Sequence, residues 1–369
     1  MNERAQNPLR QVRQLGQSIW LDDIRRSWLR DGHLARLIAD DALGGVTSNP
    51  AIFAKAISEG AEYNDAIASL ARAGRSTSEI YETLALDDVQ AAADLFRATY
   101  DSTGGADGFV SLEVSPHLAD DTQGTIEEGL RLWKAFNRPN AMIKVPATEA
   151  GLPAIAELIA AGVNINITLL FSVDRYRAVV DAYLTGLERR VQAGQPIDGI
   201  ASVASFFLSR IDTLVDARLD AMNSSEAKAL RGRAAIASAR LAYQYYKQWS
   251  NSDRWRALAG KGAKPQRLLW ASTSSKDPAY KDTMYVDALI APNTVNTLPP
   301  STIDAFRDHG DAVVRIEDDL AGANATVQGL RQLGIELGAV SDQLEREGVK
   351  KFKEPFDALF VKLAERAGK

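Results

Sequence analysis

A lysine sits late in the apolar run of Asn140-Ala141-Met142-Ile143-Lys144-Val145-Pro146-Ala147-Thr148. The run is too short for a helix and is closed by a proline, which is how a buried parallel strand stops and opens into a loop. Burial disfavours the charged form of a lysine, and a neutral amine attacks carbonyl carbon to give an imine. The plainer alternative is a lysine that snorkels from the strand end to water or pairs with an acid. Imine chemistry also needs proton carriers. Two other short runs bring carboxylates to similar positions: Ser18-Ile19-Trp20-Leu21-Asp22-Asp23 and Gly108-Phe109-Val110-Ser111-Leu112-Glu113-Val114. Further run ends carry Thr47 and Asn49, Thr168, and Ser205 with Arg210 just beyond, and a later one leads into Ser272 to Lys276. The three histidines fit less well: His33 reads as part of a turn, His309 as a helix end, and His117 lies near Glu113 by position only. Proton transfer is therefore expected from carboxylates or lysine.

These groups can act together only if the fold brings the run ends to one place. The runs read as strands at 18–23, 44–50, 108–114, 140–148, 164–171, 199–207, 266–272 and 284–292, and the stretches between them carry helical patterns. Helices are expected at 1–17, over 51–103 with breaks near Gly60 and Gly74, as two long helices in an insertion at about 211–261, and from about 301 to 369. Eight strands alternating with helices predict a parallel sheet closed into an (α/β)8 TIM barrel with additional helices, in one domain over 1–369. An open doubly wound sheet is the alternative, but it wants a glycine-rich turn after its first strand, and Gly260-Lys261-Gly262-Ala263-Lys264 follows a helix instead. In a barrel the carboxyl ends of all strands converge on one mouth, where active sites lie.

Composition narrows the function. At 369 residues the chain is long enough to bury about three-quarters of its surface. The net charge of −5 and the absence of a basic run argue against nucleic acid and anionic membranes as partners. Without cysteine there is no disulfide, zinc–thiolate site or thiol nucleophile. The polar start Met1 to Asn7 has no apolar core of a signal peptide, and no stretch approaches the roughly twenty apolar residues of a membrane span. A soluble, cytoplasmic protein is expected.

Taken in order, Trp20-Leu21-Asp22, Thr47-Ser48-Asn49-Pro50, Ser111-Leu112-Glu113-Val114, Met142 to Thr148 and Asn166-Ile167-Thr168-Leu169-Leu170-Phe171-Ser172 resemble the transaldolase family, in its longer bacterial branch, over nearly the whole chain. The resemblance implies a barrel that works through a lysine Schiff base and needs no metal or organic cofactor. It implies transfer of a dihydroxyacetone unit from sedoheptulose 7-phosphate to glyceraldehyde 3-phosphate, in the pentose phosphate pathway. By the same resemblance Lys144 forms the imine, Asp22 is the acid/base, and Glu113 and Thr168 position a water. Asn49 and Ser205 hold hydroxyls of the three-carbon fragment, and Arg210 binds phosphate. The partners are small sugar phosphates, and the chain is expected as a monomer or homodimer.

Alternatives remain for several of these residues. Asp22 or Asp23 could cap the following helix, Asn49 could form a turn, Glu113 could be a structural ion-pair partner, and Thr168 could serve only as a β-former. Phe207 is expected to line the site beside Phe206. Two departures from the commoner family pattern stand out: Phe206 follows Ser205 where a proline is frequent, and Lys276 takes the region of a second phosphate arginine. A class I aldolase that releases free dihydroxyacetone shares the imine chemistry, and a catalytically silent sugar-phosphate sensor would need only Arg210 and Lys276.

Overall fold

The computed structural model describes residues 7–368. It contains eight parallel strands closed into a barrel in chain order. They are β1 Gln17–Asp22, β2 Gly45–Thr47, β3 Phe109–Glu113, β4 Ala141–Pro146, β5 Ile165–Leu170, β6 Ser202–Phe207, β7 Arg267–Ala271 and β8 Thr294–Leu298. β1 pairs with both β2 and β8, which closes the ring. Strands β4, β5 and β6 are buried along their whole length, because one face packs the barrel interior and the other lies under helices. Trp20 is fully buried, and its partner in register is Gly45, where a Cβ would stand 2.8 Å from the indole. A side chain at that position would displace the tryptophan.

Parallel register sets the polar layer at the strand ends. Asp22 stands opposite Thr47, Glu113 opposite Lys144, Lys144 beside Asn166, and Pro146 beside Thr168. β5 carries a bulge directly after Thr168. Ile167 pairs with Ala204 but Leu170 pairs with Phe206, so β5 holds one extra residue. The bulge places the fully buried Leu169 at φ +62, a conformation that a leucine adopts only when its surroundings enforce it.

The helices depart from expectation in three places. The N-terminal helix spans Pro8–Gln14 rather than 1–17; Gln17 already belongs to β1, and residues 1–6 lie outside the described residues. The run at 284–292 is not a strand. Met284–Ala288 is a short helix, and the strand is Thr294–Leu298, whose β-branched Thr294, Val295 and Thr297 suit a strand paired on both edges. The insertion begins at Ser209 and holds four helices, Ser209–Met222, Ser225–Lys228, Ala234–Trp249 and Asp253–Ala259, broken at Asn223 as expected. Toward the C-terminus lie Pro300–His309, Leu320–Gln332 and the long helix Leu337–Arg366. No helix among the described residues is long and apolar enough to cross a membrane.

The helix that carries Arg210 is fixed through Asp212. Its carboxylate accepts from the Ala235 amide at 2.8 Å and from the Tyr285 hydroxyl at 2.8 Å. Burial lifts this carboxyl from its ordinary 3.8 to about 6. Between those values the native state holds a proton that the unfolded chain has lost, so stability falls as pH rises from about 4 to about 6, by up to roughly 3 kcal/mol. Asp212→Asn keeps an acceptor for Ala235 and cannot ionise. Thermal unfolding between pH 4 and 6.5 should therefore fall less steeply with pH in the variant; equal slopes would contradict the assignment.

Candidate active site

At the carboxyl end of the barrel lies a cavity of about 180 Å³, lined by Asp22, Asn49, Lys144, Ser205, Phe207, Arg210 and Lys276 among others. Seven of the nine residues singled out from the sequence thus share one wall. The other two, Glu113 and Thr168, stand on β3 and β5, the strands flanking Lys144. Lys144 Nζ lies 3.0 Å from Glu113 Oε2, with side chains only 5% and 3% exposed, and donates to the Ser48 carbonyl at 3.2 Å. The lysine does not snorkel to solvent. Glu113 Oε1 and Thr168 Oγ1 are buried with no hydrogen-bond partner among the described residues. Such groups are costly unless a ligand or reactant uses them.

Burial is the main force on both carboxyls. It lifts Glu113 above its ordinary range against the pull of Lys144, and it lifts Asp22 against the pull of Lys144 and of a hydrogen bond from Thr47. Asp22 Oδ1 accepts from Thr47 Oγ1 at 2.9 Å, and Thr47 lies 2.7 Å from Thr297 Oγ1. Since Thr47 has one proton and gives it to Asp22, Thr297 is the donor of the second bond. A carboxyl lifted above its ordinary range by burial and oriented by a hydroxyl chain suits proton transfer in either direction.

The remaining residues sort by contact. Asn49 Oδ1 caps the helix Pro50–Glu59 by accepting from Ile52 N at 3.0 Å, so the residue forms the turn and also faces the cavity. Ser205 Oγ donates to Asn166 Oδ1 at 2.7 Å, and Asn166 Nδ2 donates to Ser111 Oγ at 3.0 Å. The Arg210 guanidinium lies between two aromatic rings, 5.2 Å from Phe207 and 5.8 Å from Phe352, and its buried Nη1 has no partner among the described residues. Lys276 is exposed at the rim and donates to Ser274 Oγ at 2.6 Å. Asp23 does not cap a helix; it pairs with Arg25 at 2.8 Å. His117 pairs with Asp357 at 2.7 Å on the surface, outside the cavity.

Three participants were not singled out from the sequence. Thr297 belongs to the strand whose position was misread. Asn166 reads as a strand residue until its bond to Ser205 is seen. Phe352 comes from the C-terminal helix, and its ring centroid lies 5.6 Å from Lys144 Nζ; no local pattern marks it as a site residue.

The fold and cavity define an (α/β)8 barrel of the enzyme type, with an amine, carboxylates and a guanidinium gathered at the carboxyl mouth. A model of the transaldolase/fructose-6-phosphate aldolase family matches residues 19–363, and the chain belongs to that family. It is 52% identical over 355 residues to a transaldolase of Saccharopolyspora erythraea, covering 95% of each chain. It is 47% identical over 364 residues to one of Frankia alni, covering 98% of each. With transaldolase 2 of a Nostoc species it shares 48% identity over 370 residues, 97% of each chain.

Proposed function

We propose that the protein is a transaldolase that moves a dihydroxyacetone unit from sedoheptulose 7-phosphate to glyceraldehyde 3-phosphate, giving erythrose 4-phosphate and fructose 6-phosphate, in the non-oxidative pentose phosphate route of the cytoplasm. The observation that carries this reading is the buried Lys144–Glu113 pair at 3.0 Å, beside the cavity that also holds Asp22 and Arg210. The free amine of Lys144 attacks the C2 carbonyl of the ketose, with Glu113 placed to take the ammonium proton. Glu113 and Thr168 then position the water that leaves, and later returns, as the imine forms and is hydrolysed. The iminium draws electrons from the C3–C4 bond while Asp22 removes the C4 hydroxyl proton. The bond breaks, the first aldose departs, and the three-carbon unit stays on Lys144 as an enamine. Its C3 attacks the aldehyde carbon of the acceptor, and Asp22 returns the proton to the new hydroxyl. Asn49 and Ser205 hold the fragment's hydroxyls. Arg210 binds the phosphate, with Phe207 shaping the wall and Lys276 as a second, solvent-facing cation.

Purified protein given sedoheptulose 7-phosphate should form fructose 6-phosphate only when glyceraldehyde 3-phosphate is also present. Free dihydroxyacetone accumulating without acceptor would instead support the aldolase branch of the family. Arg210→Ala should raise KM for the ketose phosphate by about 10- to 100-fold, the scale of a charge-assisted hydrogen bond. Arg210→Lys should recover part of the loss, and an unchanged KM in both variants would remove Arg210 from phosphate binding.

A further inference from the structure

The C-terminal helix Leu337–Arg366 crosses the barrel mouth and turns one stripe toward the catalytic amine. Gly348 begins it: a Cβ there would come within 2.9 Å of Leu169 and 3.5 Å of Arg210 Nη1, so glycine permits the close approach. One turn on, Phe352 is 3% exposed and sets its ring 5.6 Å from Lys144 Nζ and 5.8 Å from the Arg210 guanidinium. A further turn on, Phe356 packs edge-on to Tyr81 at 5.3 Å and lines a small hollow together with Glu113. The helix is tied down on both sides of Phe352. Before it, Glu345 pairs with Arg175 at 3.1 Å and Gln343 accepts from Arg218 at 2.6 Å. After it, Asp357 pairs with His117 and Arg366 donates to Asn64 Oδ1 at 2.6 Å. A second hollow of about 480 Å³ shares Asp22, Asn49 and Pro299 with the cavity, and none of its lining residues is on the C-terminal helix.

We infer that Phe352 is a positioning residue that keeps water, as a proton donor, from C3 of the Lys144-bound three-carbon unit while leaving the Glu113 and Thr168 side to the water of hydrolysis, and so decides whether that unit is transferred or released. This rests on the transaldolase reading above. Between the departure of the first aldose and the arrival of the acceptor, the enamine has two fates. Its C3 can form a bond to the acceptor's aldehyde carbon. Alternatively C3 takes a proton from water, the iminium adds hydroxide at C2, and the C2–N bond breaks to return the Lys144 amine and free dihydroxyacetone. The second fate consumes one water and no oxidant or reductant. An apolar ring over the amine excludes that water and has nothing to donate.

The test is a size series, Phe352→Leu, Phe352→Val and Phe352→Ala, with Phe360→Ala as control. Phe360 packs at a tilt against Phe356, ring centroids 4.7 Å apart, in the same helix, and its loss loosens the helix without uncovering the amine. Free dihydroxyacetone released per fructose 6-phosphate formed should stay near the original in Phe352→Leu and rise through Phe352→Val. In Phe352→Ala it should rise by about tenfold or more, a modest shift between two competing barriers. Phe360→Ala should leave the ratio unchanged. Should Phe352→Ala fail to fold, Phe352→Val still reads the ratio. Both products falling in proportion, or Phe360→Ala raising the ratio as far as Phe352→Ala, would overturn the inference. An original protein that forms no acceptor-dependent product would refute the transaldolase reading itself, a result distinct from transfer that persists with an unmoved ratio.

Discussion

Lys144→Ala should abolish turnover, lowering kcat by roughly 10⁴-fold or more, as expected when a covalent nucleophile is removed. Lys144→Arg should be equally inactive, because a guanidinium preserves the ion pair with Glu113 but does not form an imine. The two variants separate chemistry from architecture. In Lys144→Ala the buried Glu113 loses the charge that opposes its desolvation, so its carboxyl holds a proton to higher pH. By the linkage sign, that variant loses more stability at pH 8 than at pH 5, whereas Lys144→Arg keeps a cation beside Glu113. Steady-state rates together with thermal unfolding at the two pH values check both halves. Either variant within tenfold of the original rate would rule out Lys144 as the nucleophile.

Asp22→Asn should be the next most damaging change, reducing turnover by about 10²- to 10⁴-fold, the usual contribution of a general acid/base. Asparagine keeps an acceptor for the Thr47 hydroxyl, which holds the side chain in place, but it cannot accept the C4 hydroxyl proton. The imine should still form, since the proposed mechanism gives that step to Lys144, Glu113 and Thr168, and the reaction should stall before the carbon–carbon bond breaks. Borohydride reduction of Asp22→Asn with fructose 6-phosphate should therefore capture the whole ketose phosphate on the protein. Capture of the three-carbon fragment at the original rate would show that another group removes the proton.

The barrel was legible because seven of its eight strands are short, largely apolar runs with a polar residue at or near the carboxyl end, a pattern that parallel burial imposes. β8 was not. The run from Met284 to Pro292 is apolar and of strand length, yet Met284, Ala288 and Leu289 are equally at home in a helix, and periodicity alone cannot decide so short a segment. Contact decides it: Tyr285 reaches the buried carboxylate of Asp212, which residue order does not reveal. The strand follows Asn293, which takes φ +58 at the turn. Among the site residues, those on strand ends were legible from the convergence of the barrel, whereas Phe352 was not, because a distant helix places it there. Lys276 was legible as a cation near β7, but the sequence held no sign that it would sit exposed on Ser274 rather than buried beside Arg210. The bulge at Leu169 was equally silent, since nothing about a leucine announces a positive φ.

The measurement that bears most directly on the whole account is borohydride reduction of the unmodified protein in the presence of fructose 6-phosphate and no acceptor, followed by peptide mass analysis. The account predicts one dihydroxypropyl group on the peptide containing Lys144 and loss of activity in step with its appearance. An adduct on a different lysine, or undiminished turnover with no adduct at Lys144, would contradict it.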